Sequence, residues 1–362
     1  MSFKLPKYTA PDFSQKLFIN APNIEVATVE KDGVAPQNYH AMSMYPEYFK
    51  IDGKWILPNQ SRMDCVAVVR TPKEIDIVEF RNLKKGDTVI LGRKDDGSQG
   101  IYLHNKGFSD DANEGEAFSF RSGRSRETAY SRDYDDLYDL LRYEKENNGY
   151  VVWVLGPAVS FDKDSRNAVQ GLVEKGYVQA LLAGNALATH DLEAAYLNTA
   201  LGQDIYTQES MENGHYNHLD LLNTVRSYGS IPAFITAEKI DNGIIASCVK
   251  NNVPFVLSSS IRDDGPLPEV LHSAYDAQDA MRVHARKATT LICLATQLHT
   301  IATGNMTPSY TIKDGKVRSV FIYSVDISEF VVNKLRDRGT LEVKTLVTNV
   351  QDFVTHLNKN LD

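Results

Sequence analysis

The sequence predicts an α/β protein, a parallel sheet covered by helices on both faces, preceded by a smaller β-rich, barrel-like region. Two observations carry that expectation. From Tyr150 onward, six apolar runs alternate with amphipathic stretches, the pattern of strands buried on both faces and joined by helices. Between about Asn23 and Phe120, short apolar segments follow one another at close intervals. Turn signals such as Asp52-Gly53, Gly86-Asp87 and Asp96-Gly97 separate them, which suits a small barrel or sandwich.

Composition narrows the classes. The chain has 362 residues, enough for about two domains. Its 42% hydrophobic and 24% charged content is that of an ordinary globular protein. A formal net charge of -8 argues against a nucleic-acid partner, which needs a dense basic face. No apolar run approaches ~18 residues, so no membrane span is expected. Residues 1–7 show no signal-peptide core. Cys65, Cys248 and Cys293 are scattered and odd in number. They fit reduced thiols of a cytoplasmic protein better than a disulfide framework.

Taken in order, residues 1–22 are polar, proline-punctuated and aperiodic, an arm or an oligomer contact. The β-rich region spans 23–134, with strand-like runs at 55–57, 65–69, 75–80, 88–91 and 100–103. Its end, from Ser119 to Tyr134, mixes Arg121, Arg124, Arg126 and Arg132 with serines. That stretch is either a solvated linker or a loop that closes over an anionic group, since arginine makes bidentate carboxylate and phosphate contacts. A helix follows over 135–147. The α/β region, 135–362, has its apolar runs at 151–155, 178–183, 254–257, 291–294, 320–325 and 345–348. Amphipathic stretches at 269–288 and 328–338 read as helices.

In open α/β sheets ligands bind beyond the carboxyl ends of the strands, so those ends hold the candidate site. They read Gly156-Pro157, then Gly184-Asn185-Ala186, then Arg262-Asp263-Asp264-Gly265-Pro266. The later three are Thr296-Gln297-Leu298-His299, then Asp326, then Asn349-Val350. Adjacent carboxylates are costly to desolvate unless a partner shares them, so Asp263 and Asp264 mark either a site or a surface turn. Small residues before helix starts suit a pyrophosphate, and an acid such as Asp326 suits a ribose. The glycine fingerprint of dinucleotide folds is absent, so nucleotide binding and some other small-molecule cleft both remain open. His215, His218 and Asp220 lack a second ligand pair, and no metal is expected; a helix over 216–228 begins there. Lys250, ahead of the third run, is either structural or a substrate contact.

Several segments together resemble one family. They are 154–158 (Val-Leu-Gly-Pro-Ala), 183–191 (Ala-Gly-Asn-Ala-Leu-Ala-Thr-His-Asp), 214–220 (Gly-His-Tyr-Asn-His-Leu-Asp) and 248–255 (Cys-Val-Lys-Asn-Asn-Val-Pro-Phe). Further along come 260–268 (Ser-Ile-Arg-Asp-Asp-Gly-Pro-Leu-Pro), 279–282, 305–310 and 329–339. The chain is similar to the LOR/SDH-domain group, which includes archaeal-type ornithine cyclodeaminases and the C-terminal part of arginine dihydrolase/ornithine cyclodeaminase fusions. The resemblance covers about residues 30–362 and is densest from 150 on. It implies a Rossmann-like fold, a tightly held NAD and a small basic amino acid as substrate, in a homo-oligomer. The implied NAD contacts are Asn185, Ala186, Asp264, Thr296, Gln297, Leu298, His299, Asp326, Asn349 and Val350.

The implied reaction turns L-ornithine into L-proline and ammonia, with one hydride leaving the substrate and later returning. Such chemistry needs a carboxylate clamp, for which Arg262 is the candidate, and an acid for the distal ammonium, Asp263. It also needs a base, His299 or Lys250. Two other readings are an opine- or saccharopine-type dehydrogenase and a non-catalytic NAD-binding regulator.

Overall fold

The structure, a computed structural model, describes residues 3–109, 130–263, 265–329 and 342–362. Its centre is a seven-stranded parallel sheet. The strands are β1 (Val151–Leu155), β2 (Ala180–Gly184), β3 (Phe255–Ser258), β4 (Val270–Leu271), β5 (Thr290–Leu294), β6 (Phe321–Asp326) and β7 (Glu342–Val347). They lie in the order β4-β3-β2-β1-β5-β6-β7. Every neighbouring pair is parallel. The chain steps outward from β1 to β4, returns to the other side of β1, and steps outward again. This is the doubly wound, Rossmann-like order with one further edge strand.

All six apolar runs form strands, with ends shifted by a few residues. β1 is buried along its whole length, as a central strand covered on both faces must be. Its Trp153 is fully buried, and the indole N–H donates to Tyr177 O at 2.9 Å. The seventh strand, β4, corrects the expectation of one amphipathic stretch over 269–288. Val270 pairs with Leu257 of β3, and the helix begins only at Ala274. The Ser273 hydroxyl accepts from Asp276 N there, so a side-chain cap sets the boundary. Helix Tyr130–Glu146 starts earlier than expected, inside the arginine-rich stretch; residues 119–129 of that stretch lie outside the described residues. So do 330–338 of the amphipathic stretch that follows β6.

The β-rich region takes the sandwich form of the expectation. A four-stranded antiparallel sheet (Glu25–Thr28, Thr88–Leu91, Val66–Thr71, Glu74–Val78) faces a three-stranded one (Lys54–Ile56, Glu47–Ile51, Ile101–Leu103). Phe49 and Ile101 from one sheet meet Cys65, Ala67, Ile75 and Ile90 from the other side in a single core. Residues 3–20 lie along their own chain. Lys7–Tyr8 pairs with Phe108–Ser109, Phe18 is buried, and the Phe3 ring stands edge-on to Phe321 of β6 at 5.6 Å. The two regions are joined by ions. Arg81 pairs with Asp279 at 2.7 Å, while Glu79 meets Arg62 and Arg282.

Two buried carboxylates brace the sheet. Asp191 is wholly buried and pairs with Arg166 at 2.7 Å. The same carboxylate accepts from Ile244 N at 2.9 Å and Ile245 N at 2.8 Å, capping helix Ile244–Lys250. Glu144, also wholly buried, accepts from Thr289 and Thr290 at the start of β5 at 2.9 and 2.8 Å. It takes Arg318 in a fork at 2.6 and 3.2 Å. Removing one partner of such a pair strands the other charge. Asp191→Ala should therefore lower stability by about 3–5 kcal/mol, read as a drop in the urea midpoint at unchanged slope. A variant that unfolds like the parent would show that the pair contributes nothing.

Candidate functional site

The carboxyl ends of β1 and β5 meet at the point where the strand order reverses, the place a doubly wound sheet opens a crevice. The two ends touch through backbone alone. A Cβ on Gly156 would lie 2.0 Å from Ala295 O, so a side chain cannot stand there. Gly156 N donates to Leu294 O at 2.8 Å, and Ala295 N to Val325 O at 3.1 Å. Ala295 sits at φ +51°, a left-handed conformation that is uncommon outside glycine. It turns the chain out of β5 and into helix Gln297–Met306.

Helices on either side of β1 begin at this edge. Helix Asn185–Leu197 follows β2, and helix Gln297–Met306 follows β5. Neither N-cap residue, Gly184 or Thr296, caps its helix with a side chain, and among the described residues no other side chain accepts from the first turn. Ser273 caps the helix after β4, and Asn349 caps the helix after β7. The two uncapped first turns thus flank Gly156 with backbone N–H groups and the positive ends of two helix dipoles, a cradle for an anion.

The predicted residues fall as follows. Asn185 is buried, and its Oδ1 accepts from Leu267 N at 3.1 Å and from the Thr189 hydroxyl at 3.3 Å. That bond ties the end of β2 to the loop after β3. Ala186 and Thr296 are half-buried, while Gln297 and Leu298 are exposed at the rim. His299 reaches back across β1: its Cε1 lies 3.2 Å from where a Cβ on Gly184 would stand. Burial holds its imidazole below the ordinary pKa of 6.5. Asp326, at the end of β6, accepts from Ser328 N at 2.9 Å. Asn349 spends its side-chain oxygen on the cap, accepting from Gln351 N at 2.8 Å, and Val350 packs in the core.

In the loop after β3, Asp263 accepts from Ser260 N at 2.7 Å, and Arg262 is exposed. Asp264 lies outside the described residues. Gly265 has φ +136° and faces Arg226, whose Nη1 is 3.1 Å from where its Cβ would stand. Lys250 does not join the site. It ends the helix that leads into β3, at the amino edge of the sheet, and is exposed there. A whole strand separates it from the crevice. Among the described residues, no group of three or more His, Cys, Asp or Glu side chains could hold a metal ion. His215 is exposed on a single 3-10 turn, ahead of helix Asn217–Tyr228. Sequence reasoning missed Ala295, since alanine carries no signal for a positive φ. It also missed Glu269, which accepts from Ile231 N at 2.7 Å and so anchors the β3 loop from below.

Fold and strand order define a doubly wound, Rossmann-like α/β protein. Residues 136–357 match the family described as arginine dihydrolase ArgZ-like, C-terminal, Rossmann fold, and residues 46–129 match its first region. The chain belongs to this ArgZ-like C-terminal family. It is 36% identical over 342 residues to an ornithine cyclodeaminase of Methanocaldococcus jannaschii, covering 94% of this chain and 78% of that one. It is 36% identical to the bifunctional arginine dihydrolase/ornithine cyclodeaminase AgrE of Nostoc, covering 92% of this chain and 46% of that protein. A solved LOR/SDH protein of Methanococcus maripaludis superposes with a TM-score of 0.81 at 34% identity, covering 94% and 98% of the two chains. AgrE in ternary complex with ornithine and NAD+ superposes with a TM-score of 0.60 at 33% identity, covering 95% of this chain and 46% of that one.

Gly156→Ala should force the ends of β1 and β5 apart, costing about 1–3 kcal/mol by overpacking. Thermal unfolding checks it: a variant as stable as the parent would mean the strand ends separate freely.

Proposed function

We propose that the chain is an ornithine cyclodeaminase that converts L-ornithine to L-proline and ammonia, with NAD as a recycled hydride carrier. The observation that carries this reading is the pair of uncapped helix starts around Gly156. They belong to a chain that resembles ornithine cyclodeaminases over nearly its whole length. These residues fit a dinucleotide: Ala295 O fills the Cβ side of Gly156, so a pyrophosphate would lie over the two helix starts beside it, with Asn185 to orient it. Asp326, Thr296 and the backbone of residues 297–299 would complete the contacts, with Asp264 from the loop after β3.

When bound, NAD supplies a hydride acceptor and donor for the substrate α-carbon. The protein does the rest. Arg262 meets the substrate carboxylate and Asp263 the distal ammonium. The bond from the α-carbon to its nitrogen breaks, one from that carbon to the δ-nitrogen forms, and ammonia leaves. One hydride leaves and one returns, so no external oxidant or reductant is consumed. His299 holds or releases the proton of the attacking amine. It stays neutral at pH 7, because burial keeps its pKa below 6.5.

The same reading makes the protein a homo-oligomeric, cytoplasmic enzyme of proline formation and of arginine and ornithine breakdown. Its three cysteines, all buried and free, support the compartment. We divide the chain into an arm (1–22), a β-rich region (23–134) and a Rossmann-like region (135–362); the family matches over 46–129 and 136–357 support the boundary between the last two.

Incubation with L-ornithine and NAD should give proline and ammonia in equal amounts, with no lasting NADH absorbance. NADH that accumulates with an amino acid would instead make the protein a dehydrogenase, and tight NAD binding without turnover would make it a regulator. His299→Gln should lower kcat roughly 10²–10⁴-fold if the imidazole is the base. The acid limb of the parent's pH profile should fall below pH 6.5. An unchanged rate in the variant would remove His299 from the proton path.

A further inference from the structure

A second cavity lies at the opposite edge of the sheet. It is a groove of about 860 Å³ between the N-terminal segment, the end of helix Tyr130–Glu146 and the hairpin Tyr310–Ser319. Asn147 lies just ahead of β1 and Arg318 just ahead of β6, so the groove sits at the amino ends of the strands. It is a strand's length from the crevice.

Its lining has two chemistries. Tyr8 and Tyr143 are half-buried and give it aromatic walls. Lys313 and Lys316 stand on the hairpin opposite Tyr143, with Asp314 between them as the lining's acidic residue. The Lys313 ammonium is held by Asn147 O and Asn148 O at 2.7 and 2.6 Å, which leaves one of its three N–H donors to spare. Lys316 is exposed. Arg318 forms the floor. It is 5% exposed, both terminal nitrogens are forked onto Glu144, and its buried Nε–H has no hydrogen-bond partner among the described residues. A basic, aromatic groove is the reverse of this protein's formal charge of -8.

We propose that this groove is an effector site for a small anion carried on a flat ring, the chemistry of a nucleoside monophosphate. Lysine ammonium groups take the phosphate as point charges, and tyrosine rings take the base by stacking. The floor links the groove to the crevice. Glu144 binds Arg318 on one side and the Thr289 and Thr290 hydroxyls on the other. Those threonines start β5, and β5 ends at Ala295, against Gly156. Arg318 is too buried to touch a ligand, but an anion held above it attracts the guanidinium that Glu144 holds, and Glu144 in turn holds the start of the strand whose far end shapes the crevice. Any effect on the crevice must be reciprocal, since linkage couples both sites equally.

The test is calorimetric titration of AMP, and separately of inorganic phosphate, into protein saturated with NAD. AMP should bind the NAD-saturated protein without displacing NAD. Lys316→Glu, at an exposed hairpin position, should weaken AMP roughly tenfold. Tyr143→Leu should weaken AMP but leave any phosphate binding unchanged. The proposal is overturned if AMP fails to bind, if it binds only by expelling NAD, if phosphate alone binds as tightly as AMP, or if both variants bind AMP like the parent. Because the readout is binding and not turnover, its failure leaves the ornithine reaction standing. Failure of the ornithine reaction equally leaves this result intact.

Discussion

The contact between Gly156 and Ala295 O is the constraint on which the rest of the molecule turns. β1 is the strand from which the sheet winds both ways. Its carboxyl end has to pass close to that of β5 while leaving the crevice above open. Only a residue without Cβ allows the backbones to meet at that distance. The strain is shared with Ala295, whose left-handed φ redirects the chain into a helix that starts without a cap. Packing at one point therefore produces both the crevice and the electropositive helix start beside it.

The rest of the fold holds that point still. At the carboxyl edge, Asn185 fastens the end of β2 to the loop after β3, and Glu269 fastens the same loop to helix Ile231–Ala237. At the amino edge, Glu144 pins the start of β5. Asp191 and Arg166 join the helices packed beside β2. A buried pair costs desolvation, so such a pair is weak evidence for stability by itself. These carboxylates do something more specific: each satisfies backbone N–H groups or hydroxyls from a second element, which fixes register. A site spread across several strand ends, as proposed above, would need that, because displacement of one strand misplaces every group it carries.

How much of this was legible in the sequence varies with the kind of signal. The six apolar runs became strands because a doubly covered parallel strand is apolar along most of its length. The edge strand β4 was hidden, since two residues carry no period and its pairing with β3 is a tertiary event. The strand-end reading pointed to Asn185, Thr296, His299 and Asp326, all of which lie at the carboxyl edge of the sheet. Lys250 was misplaced because proximity along the chain to β3 says nothing about which end of the sheet a residue occupies.

The sequence by itself determined the class of fold and, through family resemblance, the family, and it pointed to the carboxyl edge of the sheet as the place to look for a site. These depend on hydrophobic period, residue type and motif order, all of which are local or linear. Only the tertiary structure decided which helix starts lack caps, that His299 folds back over Gly184, and that Lys250 stands at the wrong edge. It also decided that a basic groove lies at the amino ends of the strands, over the buried Arg318–Glu144 pair. Each of these is a relation between residues far apart in the chain. Their meeting is set by strand order and packing, which no stretch of sequence contains alone.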